Sequence, residues 1–314
     1  MRIVVTGGAG FLGSHLCDAF VERGDEVVAV DNLSTGRLEN LSRLEGNDRF
    51  LFVHADVTSE IPVEGRVDGV LHFASAASPP EYLQMPLETL DVSSVGTRRA
   101  LDLAHAHDAR MLFASTSEVY GEPEEHPQSE TYHGNVDPVA ARSVYDEAKR
   151  FGETLTMTYQ RVYGTRVAIV RIFNTYGPRL QPADGRVVSN LLSQAIAGAP
   201  LTVYGDGLQT RSFCYVDDEI RGLLALVDSE LSGPINLGNP FEFTMLELAE
   251  LVLEVTGSQS EVVFEPGRPN DPSRRCPDIS RARELLSWEP IVALRDGLVY
   301  TRDWYLEERA HGRT

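Results

Sequence analysis

Three cysteines in 314 residues, no long apolar run and a shortage of positive charge bound this chain before any motif is considered. Cys17, Cys214 and Cys276 stand far apart, without metal-ligand or redox spacing, which leaves them the role of small buried thiols. No metal site is expected. No stretch approaches the ~18 consecutive apolar residues a membrane helix needs. The opening MRIVVTGG runs straight into a strand without a cleavable signal, so residence in the cytoplasm is expected. With 28 Lys and Arg against 47 Asp and Glu, the formal charge of −19 sets net repulsion against nucleic acid and anionic membranes, and neither is expected as a partner. An anionic small molecule stays open if arginines gather in one cleft. Arg179, Arg186, Arg211, Arg274 and Arg275 are the candidates.

What is present begins at the N-terminus. The β-branched run Arg2–Thr6 is followed by GGAGFLG at 7–13 and an amphipathic stretch that closes on Gly24, which spells strand, tight turn, helix. Gly7, Gly10 and Gly13 carry a Gly-x-x-Gly-x-x-Gly spacing. The first permits the turn, the second lets a pyrophosphate reach backbone N–H groups, and the third lets helix pack on strand. The strand EVVAV at 26–30 ends in Asp31, eighteen residues beyond Gly13, where an acid binds adenosine ribose hydroxyls and repels a 2′-phosphate. NAD is therefore the expected cofactor. Its expected contacts are Gly7, Gly10, Phe11, Leu12, Gly13, Asp31, Asn32, Asp56, Val57 and Ala74, with Tyr145 and Lys149.

Further strands are expected at 50–54, 69–73, 110–114 and 166–171, with helices at about 88–107 and 143–163. Such alternation makes a doubly wound parallel sheet of Rossmann type. After Pro178 the pattern changes to helix 187–198, strands 201–204 and 212–216, helix 217–228, strand 234–237, helix 245–256 and a last helix from about 294. The expected division is a nucleotide domain at 1–177, to which 212–238 returns, and a smaller α/β substrate domain at 178–211 and 239–314. Thr244 and Glu247 form a capping box for the 245–256 helix.

Residues 114–121, ASTSEVYG, and the pair Tyr145 and Lys149 carry the chemistry. A tyrosine four residues before a lysine shares a helix face with it. Tyrosine titrates near ~10, so a phenolate at neutral pH needs about 4 kcal/mol of stabilisation. An ammonium about 4 Å away at an effective dielectric near 20 supplies roughly that, and the nicotinamide charge adds to it. Tyr145 is the candidate base toward a substrate hydroxyl, Thr116 shares its proton, and Glu118 adds a carboxylate that a plain dehydrogenase does not need.

These residues resemble the extended short-chain dehydrogenase/reductases of the sugar-nucleotide branch. ASTSEVYGEPEEHPQSE at 114–130, RSVYDEAKRFGE at 142–153, RIFNTYGPR at 171–179, DGRVVSN at 184–190, PLTVYGDGLQTRSFCYVDD at 200–218 and INLGNP at 235–240 are similar to the UDP-glucuronate decarboxylase family within it. The resemblance implies C4 oxidation by NAD and Tyr145, loss of CO2 from the 4-keto acid, reprotonation at C5 and return of the hydride. It implies catalytic roles for Thr116, Ser117, Glu118, Tyr145, Lys149 and Arg275. It also implies a UDP-sugar site built from Pro80, Tyr82, Asn174, Arg179, Val187, Tyr204, Gln209, Arg211 and Arg275. Related 4,6-dehydratases carry an adjacent Asp-Glu pair where this chain has Ser117 and Glu118, and C4 epimerases usually have a small or hydroxyl residue at the Glu118 position. The chain departs from the family at Ala76, where a proline is common, and at Leu180, where methionine is common. Relatives pair the helices near 88–107 and 143–163 into a four-helix dimer interface, so a homodimer is expected.

Overall fold

The computed structural model describes residues 1–182, 184–267 and 274–312. Its centre is a parallel sheet of seven strands, which are β1 (Arg2–Thr6), β2 (Glu26–Asp31), β3 (Phe50–His54), β4 (Gly69–His72), β5 (Arg110–Thr116), β6 (Val167–Ile172) and β7 (Pro234–Leu237). Their order is β7-β6-β5-β4-β1-β2-β3, with every neighbour parallel. The chain steps one way from β1 through β3 and the other way from β4 onward. That reversal opens a crevice at the carboxyl ends of β1 and β4, where ligands sit in open α/β sheets.

Strand alternation divides the apolar residues between two faces. Ile3, Val5, Ala29 and Leu112 bury one way, against Leu16 and Phe20 of helix Phe11–Arg23 and Leu223 of helix Val216–Asp228. Val4, Val28, Met111 and Phe113 bury the other way, against Ala100 and Leu101 of helix Thr97–Ala106 and Tyr159 of helix Ser143–Tyr163. The first face continues into Leu191, Leu201, Leu248, Val252 and Leu298, so the C-terminal elements share its core. There Leu201–Tyr204 pairs with Val262–Glu265, and Thr210–Ser212 lies between Glu242–Thr244 and Arg274–Arg275. The capping box forms as expected, with Thr244 and Glu247 satisfying each other's backbone N–H.

Two expected elements differ. The single helix at 88–107 is a helix Pro86–Asp91, a π turn Val92–Gly96 and a helix Thr97–Ala106. The Val92 carbonyl within that wide turn bonds the buried His72 ring, whose Nδ1 lies 2.7 Å from Thr6 Oγ1. The expected strand 212–216 is two short strands with different partners. Thr210–Ser212 joins the three-stranded sheet and Cys214–Tyr215 pairs with Thr175–Tyr176, after which the helix starts at Val216. The three cysteines are buried and free, and no described helix is long and apolar enough to cross a membrane.

Candidate active site

A cavity of about 740 Å³ opens at the crevice and runs from the glycine turn to the C-terminal elements. Gly7, Gly10, Phe11, Leu12 and Gly13 line one end. Gly7 has φ +71°, and a Cβ placed on it would come within 2.6 Å of the Ala74 nitrogen. A Cβ on Gly13 would stand 2.0 Å from the Gly7 carbonyl oxygen. The turn is thus packed to backbone density, leaving the N-terminus of helix Phe11–Arg23 exposed to a ligand. Asp31 closes β2 beside it, accepting N–H bonds from Ala9 at 3.0 Å and Leu33 at 2.8 Å. Burial pushes its carboxyl up, and these two bonds oppose that.

At the other end β5 delivers Thr116, and the turn Ser117–Tyr120 delivers Ser117 and Glu118. Thr116 Oγ1 accepts the Glu118 N–H at 3.2 Å, which fixes the carboxylate's approach. Helix Ser143–Tyr163 presents Tyr145 and Lys149 on one face, both buried. Lys149 Nζ donates to the Ala114 carbonyl at 3.0 Å and lies 5.7 Å from the Tyr145 ring centre. Tyr82, from helix Pro79–Gln84, stacks on Tyr145 at 5.0 Å with the rings 4° apart.

The electrostatics correct one expectation. The Tyr145 phenol is pushed up, first by burial and then by the Glu118 charge, while Arg186 and a hydrogen bond with Thr116 pull it down. The ammonium does not dominate the phenol, because its Nζ is turned toward a carbonyl and burial lowers Lys149 itself to about 8. Base strength at Tyr145 must come from what binds in the cavity.

Glu118 is clamped. Its Oε1 accepts from Arg275 Nη1 at 2.6 Å and its Oε2 from Arg142 Nη2 at 2.8 Å. Burial would raise this carboxyl, but the Arg275 and Arg142 guanidiniums hold it well below the usual range. Arg142 and Asp146 are the residues that the sequence reading missed. Asp146 is hydrogen-bonded to Glu118, and it is pushed well up by burial and by that neighbouring charge. Both lay inside the quoted segment 142–153, yet Asp146 follows Tyr145 by one, and successive helix positions point apart, so helix-face spacing gave no signal. Arg186, which also lines the cavity, is one of the five arginines named as candidates for an anion-binding cleft. Lys149, by contrast, is identified by its four-residue spacing from Tyr145, and it is also the one lysine in a chain with 27 arginines.

Of the other expected residues, Pro80, Asn174, Arg179, Val187, Tyr204, Gln209, Arg211 and Arg275 line the same cavity or its rim, along with Ser117 and Glu118. Asn174 donates to the Ser212 carbonyl at 3.1 Å, and Gln209 to the Tyr204 carbonyl at 2.8 Å. Arg179, at φ +70°, pairs with Asp18 of the helix that follows the glycine turn, on the nucleotide side of the cavity. Asp31, Asn32, Asp56, Val57, Ala74 and Tyr82 lie outside the cavity wall. Asp56 bonds Thr58 and Asn32, Val57 is part of the core, and Ala74 backs Gly7. His126, Glu242 and Cys276 bring ligand-type atoms within 4.8 Å of one another. His126 pairs there with Glu242 at 2.9 Å, and Cys276 Sγ donates to the Pro240 carbonyl at 3.3 Å.

The model of the NAD dependent epimerase/dehydratase family matches residues 3–238. The chain belongs to that family. Over 298 residues it is 55% identical to UDP-glucuronic acid decarboxylase 1 of Arabidopsis thaliana, covering 95% of this chain and 68% of that one. It is 48% identical to UDP-glucuronic acid decarboxylase 1 of Danio rerio over 310 residues, 99% of this chain and 74% of that one. The crystal structure of UDP-glucuronic acid 4-epimerase from Bacillus cereus in complex with UDP-glucuronic acid and NAD superposes with a TM-score of 0.87 at 30% identity, over 98% of this chain and 99% of that one. The family's NAD fits these residues. The glycine turn admits no Cβ at Gly7 or Gly13, and the cavity is within the ~300–1,000 Å³ range of small-molecule sites.

Proposed function

We propose that the chain decarboxylates UDP-glucuronate with NAD as a catalytic cofactor, giving UDP-xylose, with the UDP-4-keto-pentose as a branch product. One observation carries this reading. Arg275 Nη2 is buried without a hydrogen-bond partner among the described residues, while Nη1 of the same guanidinium holds Glu118 at the cavity wall. An unused guanidinium donor suits a carboxylate. UDP-glucuronate carries one at C6, and neutral UDP-sugars do not. The decarboxylases of Arabidopsis thaliana and Danio rerio, similar over nearly the whole chain, support the same substrate.

NAD held at the glycine turn would supply an acceptor and donor for the C4 hydride and a further positive charge near Tyr145, whose phenol burial and Glu118 push up against Arg186 and Thr116. Tyr145 takes the proton of the C4 hydroxyl at its phenol oxygen, with the Thr116 hydroxyl sharing it. Lys149, bonded to the Ala114 carbonyl, keeps an ammonium behind the phenol. Once C4 is a ketone, the C5–C6 bond breaks as CO2 leaves, and its electron pair enters the ketone to give an enolate. Arg275 and Ser117 hold the carboxylate until it departs, and Glu118 stands where C5 is reprotonated. Phe11, Leu12, Asn32, Asp56, Val57 and Ala74 complete the cofactor set. Pro80, Tyr82, Asn174, Arg179, Val187, Tyr204, Gln209 and Arg211 complete the UDP-sugar set. The first set falls in residues 1–177 with 212–238, and most of the second in or beside 178–211 and 239–314.

A homodimer belongs to the same reading. Leu87, Leu90 and Val95 are exposed on the segment 86–106, as are Phe151, Val162 and Tyr163 on helix Ser143–Tyr163, and a four-helix contact with a second copy would cover them. Residence in the cytoplasm is supported by three buried thiols that are free.

Mass spectrometry of UDP-glucuronate incubated with the protein and NAD tests the reading. A product lighter by one CO2 is expected. An unchanged mass with inverted C4 would instead favour a UDP-sugar 4-epimerase, the alternative that likeness to an epimerase structure supports. Loss of water would point to a 4,6-dehydratase.

A further inference from the structure

Local sequence supplies one carboxyl at the reacting end of the cavity, and the fold supplies a second. Asp146, buried on helix Ser143–Tyr163, is hydrogen-bonded to Glu118, which reaches it from the turn after β5. Two carboxyls in hydrogen-bond contact cannot both be ionised without strong repulsion, so a proton lies between them. The groups facing the pair decide which oxygen carries it. Arg275 and Arg142 donate to both oxygens of Glu118, which favours its anion. Asp146 Oδ1 is buried with no partner among the described residues, which favours the neutral acid there. Tyr82, whose buried hydroxyl has no partner among them either, faces the same four titratable groups from helix Pro79–Gln84. Tyr145, next in the chain to Asp146, lies within the field of Glu118 too.

We propose that Asp146 is the protonated partner of Glu118, and that this shared proton passes through Glu118 to C5 of the substrate after CO2 departs. The inference rests on the decarboxylase reading for its substrate and on the carboxyl pair for its proton. The step balances. The C5–C6 electron pair has entered the C4 ketone as an enolate. The Asp146 proton moves to the Glu118 carboxylate and from there to C5, and the enolate electrons form the new C5–H bond as the C4 carbonyl returns. The pair is left with one proton fewer and regains it from water when product leaves. A clamped, ionised Glu118 has no proton of its own, so Asp146 acts as the positioning residue that supplies it.

Difference infrared spectroscopy across neutrality tests the proton without any substrate. Wild-type protein should show a protonated carboxyl band that Asp146→Asn lacks. Glu219, another buried acid held protonated, remains in both proteins and cancels. Kinetics test the delivery. Asp146→Asn keeps the size and a donor to Glu118 but no transferable proton, so conversion of UDP-glucuronate should slow by about tenfold or more with KM within about twofold. The limb near neutrality should vanish from its pH profile, leaving the one that Lys149 sets at about 8, and Asp146→Glu should restore part of the rate. An Asp146→Asn protein with the wild-type rate and pH profile overturns the delivery, and the absence of a band difference overturns the shared proton. If wild-type protein releases no CO2, the decarboxylase reading and the delivery to C5 fall together, while the band still judges the carboxyl pair by itself.

Discussion

The two ends of the cavity are built by opposite means. At the nucleotide end, seven consecutive residues make a turn whose recognition surface is backbone, and side chains are excluded by contacts as short as 2.0 Å for a Cβ on Gly13. At the reacting end, the surface is almost all side chain. Glu118, Arg142, Asp146 and Arg275 arrive from the turn after β5, the start of a helix and its first turn, and a two-residue strand. The first end works because the chain is locally compact, and the second because distant segments are held in register by the sheet. A substitution at one end should leave the other intact.

The largest effect belongs to the reacting end. Tyr145→Phe keeps the ring that stacks on Tyr82 but removes the proton acceptor. CO2 release should fall by about a thousandfold, within the range for a lost general base, while NAD retention measured by fluorescence stays within about twofold. Loss of NAD along with activity would erase the distinction between the two ends. The mirror experiment is Gly13→Ala. Its methyl would be 2.0 Å from the Gly7 carbonyl, backbone that cannot move aside, so NAD retention should weaken by roughly a hundredfold, about 2.7 kcal/mol. The carboxyl band assigned to the Glu118 and Asp146 pair should persist in that variant. If Gly13→Ala retained NAD normally, the turn would not be the cradle that its packing describes.

This contrast also explains what could be seen in the sequence. The glycine turn, Asp31 and the alternation of strand and helix are written in contiguous residues with regular periods, and the sheet carries them as expected. Tyr145 and Lys149 are legible because four residues span one helical turn. Thr116 and Glu118 are legible because they directly follow a strand. The clamp is another matter. Arg142 reaches Glu118 across 24 residues and Arg275 across 157, and no periodicity encodes such distances. Arg275 stood out in the sequence only as one of five arginines available to an anion-binding cleft, and its catalytic role came through resemblance. Asp146 was hidden by its place next to Tyr145, since helix geometry turns adjacent side chains apart and only the returning turn after β5 brings Glu118 to it. The count of acids at the site, one by local sequence, became two in three dimensions. The π turn at Val92–Gly96 escaped for a similar reason, because the His72 ring that takes the Val92 carbonyl comes from β4.

A smaller effect separates the two arginines of the clamp. Arg142→Met leaves Glu118 its bond to Arg275 and keeps much of the aliphatic stem, so the turnover rate should drop about tenfold while NAD retention holds. The melting temperature should fall as well, since a buried carboxylate loses one of its cations. If Arg142→Met turned over at the wild-type rate, Arg275 alone would hold Glu118, and the reacting end would be simpler than it looks.

The smallest effect is a titration, and the chain makes it clean to observe. With a single lysine in the sequence, 15N-lysine labelling gives one side-chain resonance, that of Lys149. Burial lowers its pKa to about 8, so the folded protein binds fewer protons there than the unfolded chain as pH rises from about 8 toward the ordinary lysine value. Over that window this residue makes folding more favourable with rising pH. Activity runs the other way. The ammonium behind Tyr145 is half lost at about 8, so the turnover rate should fall by about twofold there and further above it. Lys149→Met should lack that limb at a lower overall rate, and NAD should bind it at the glycine turn as before. A resonance that titrates at the ordinary lysine value would mean that the ammonium is solvated. The reacting end would then be open to water where the structure has it closed by Ala114 and Phe113.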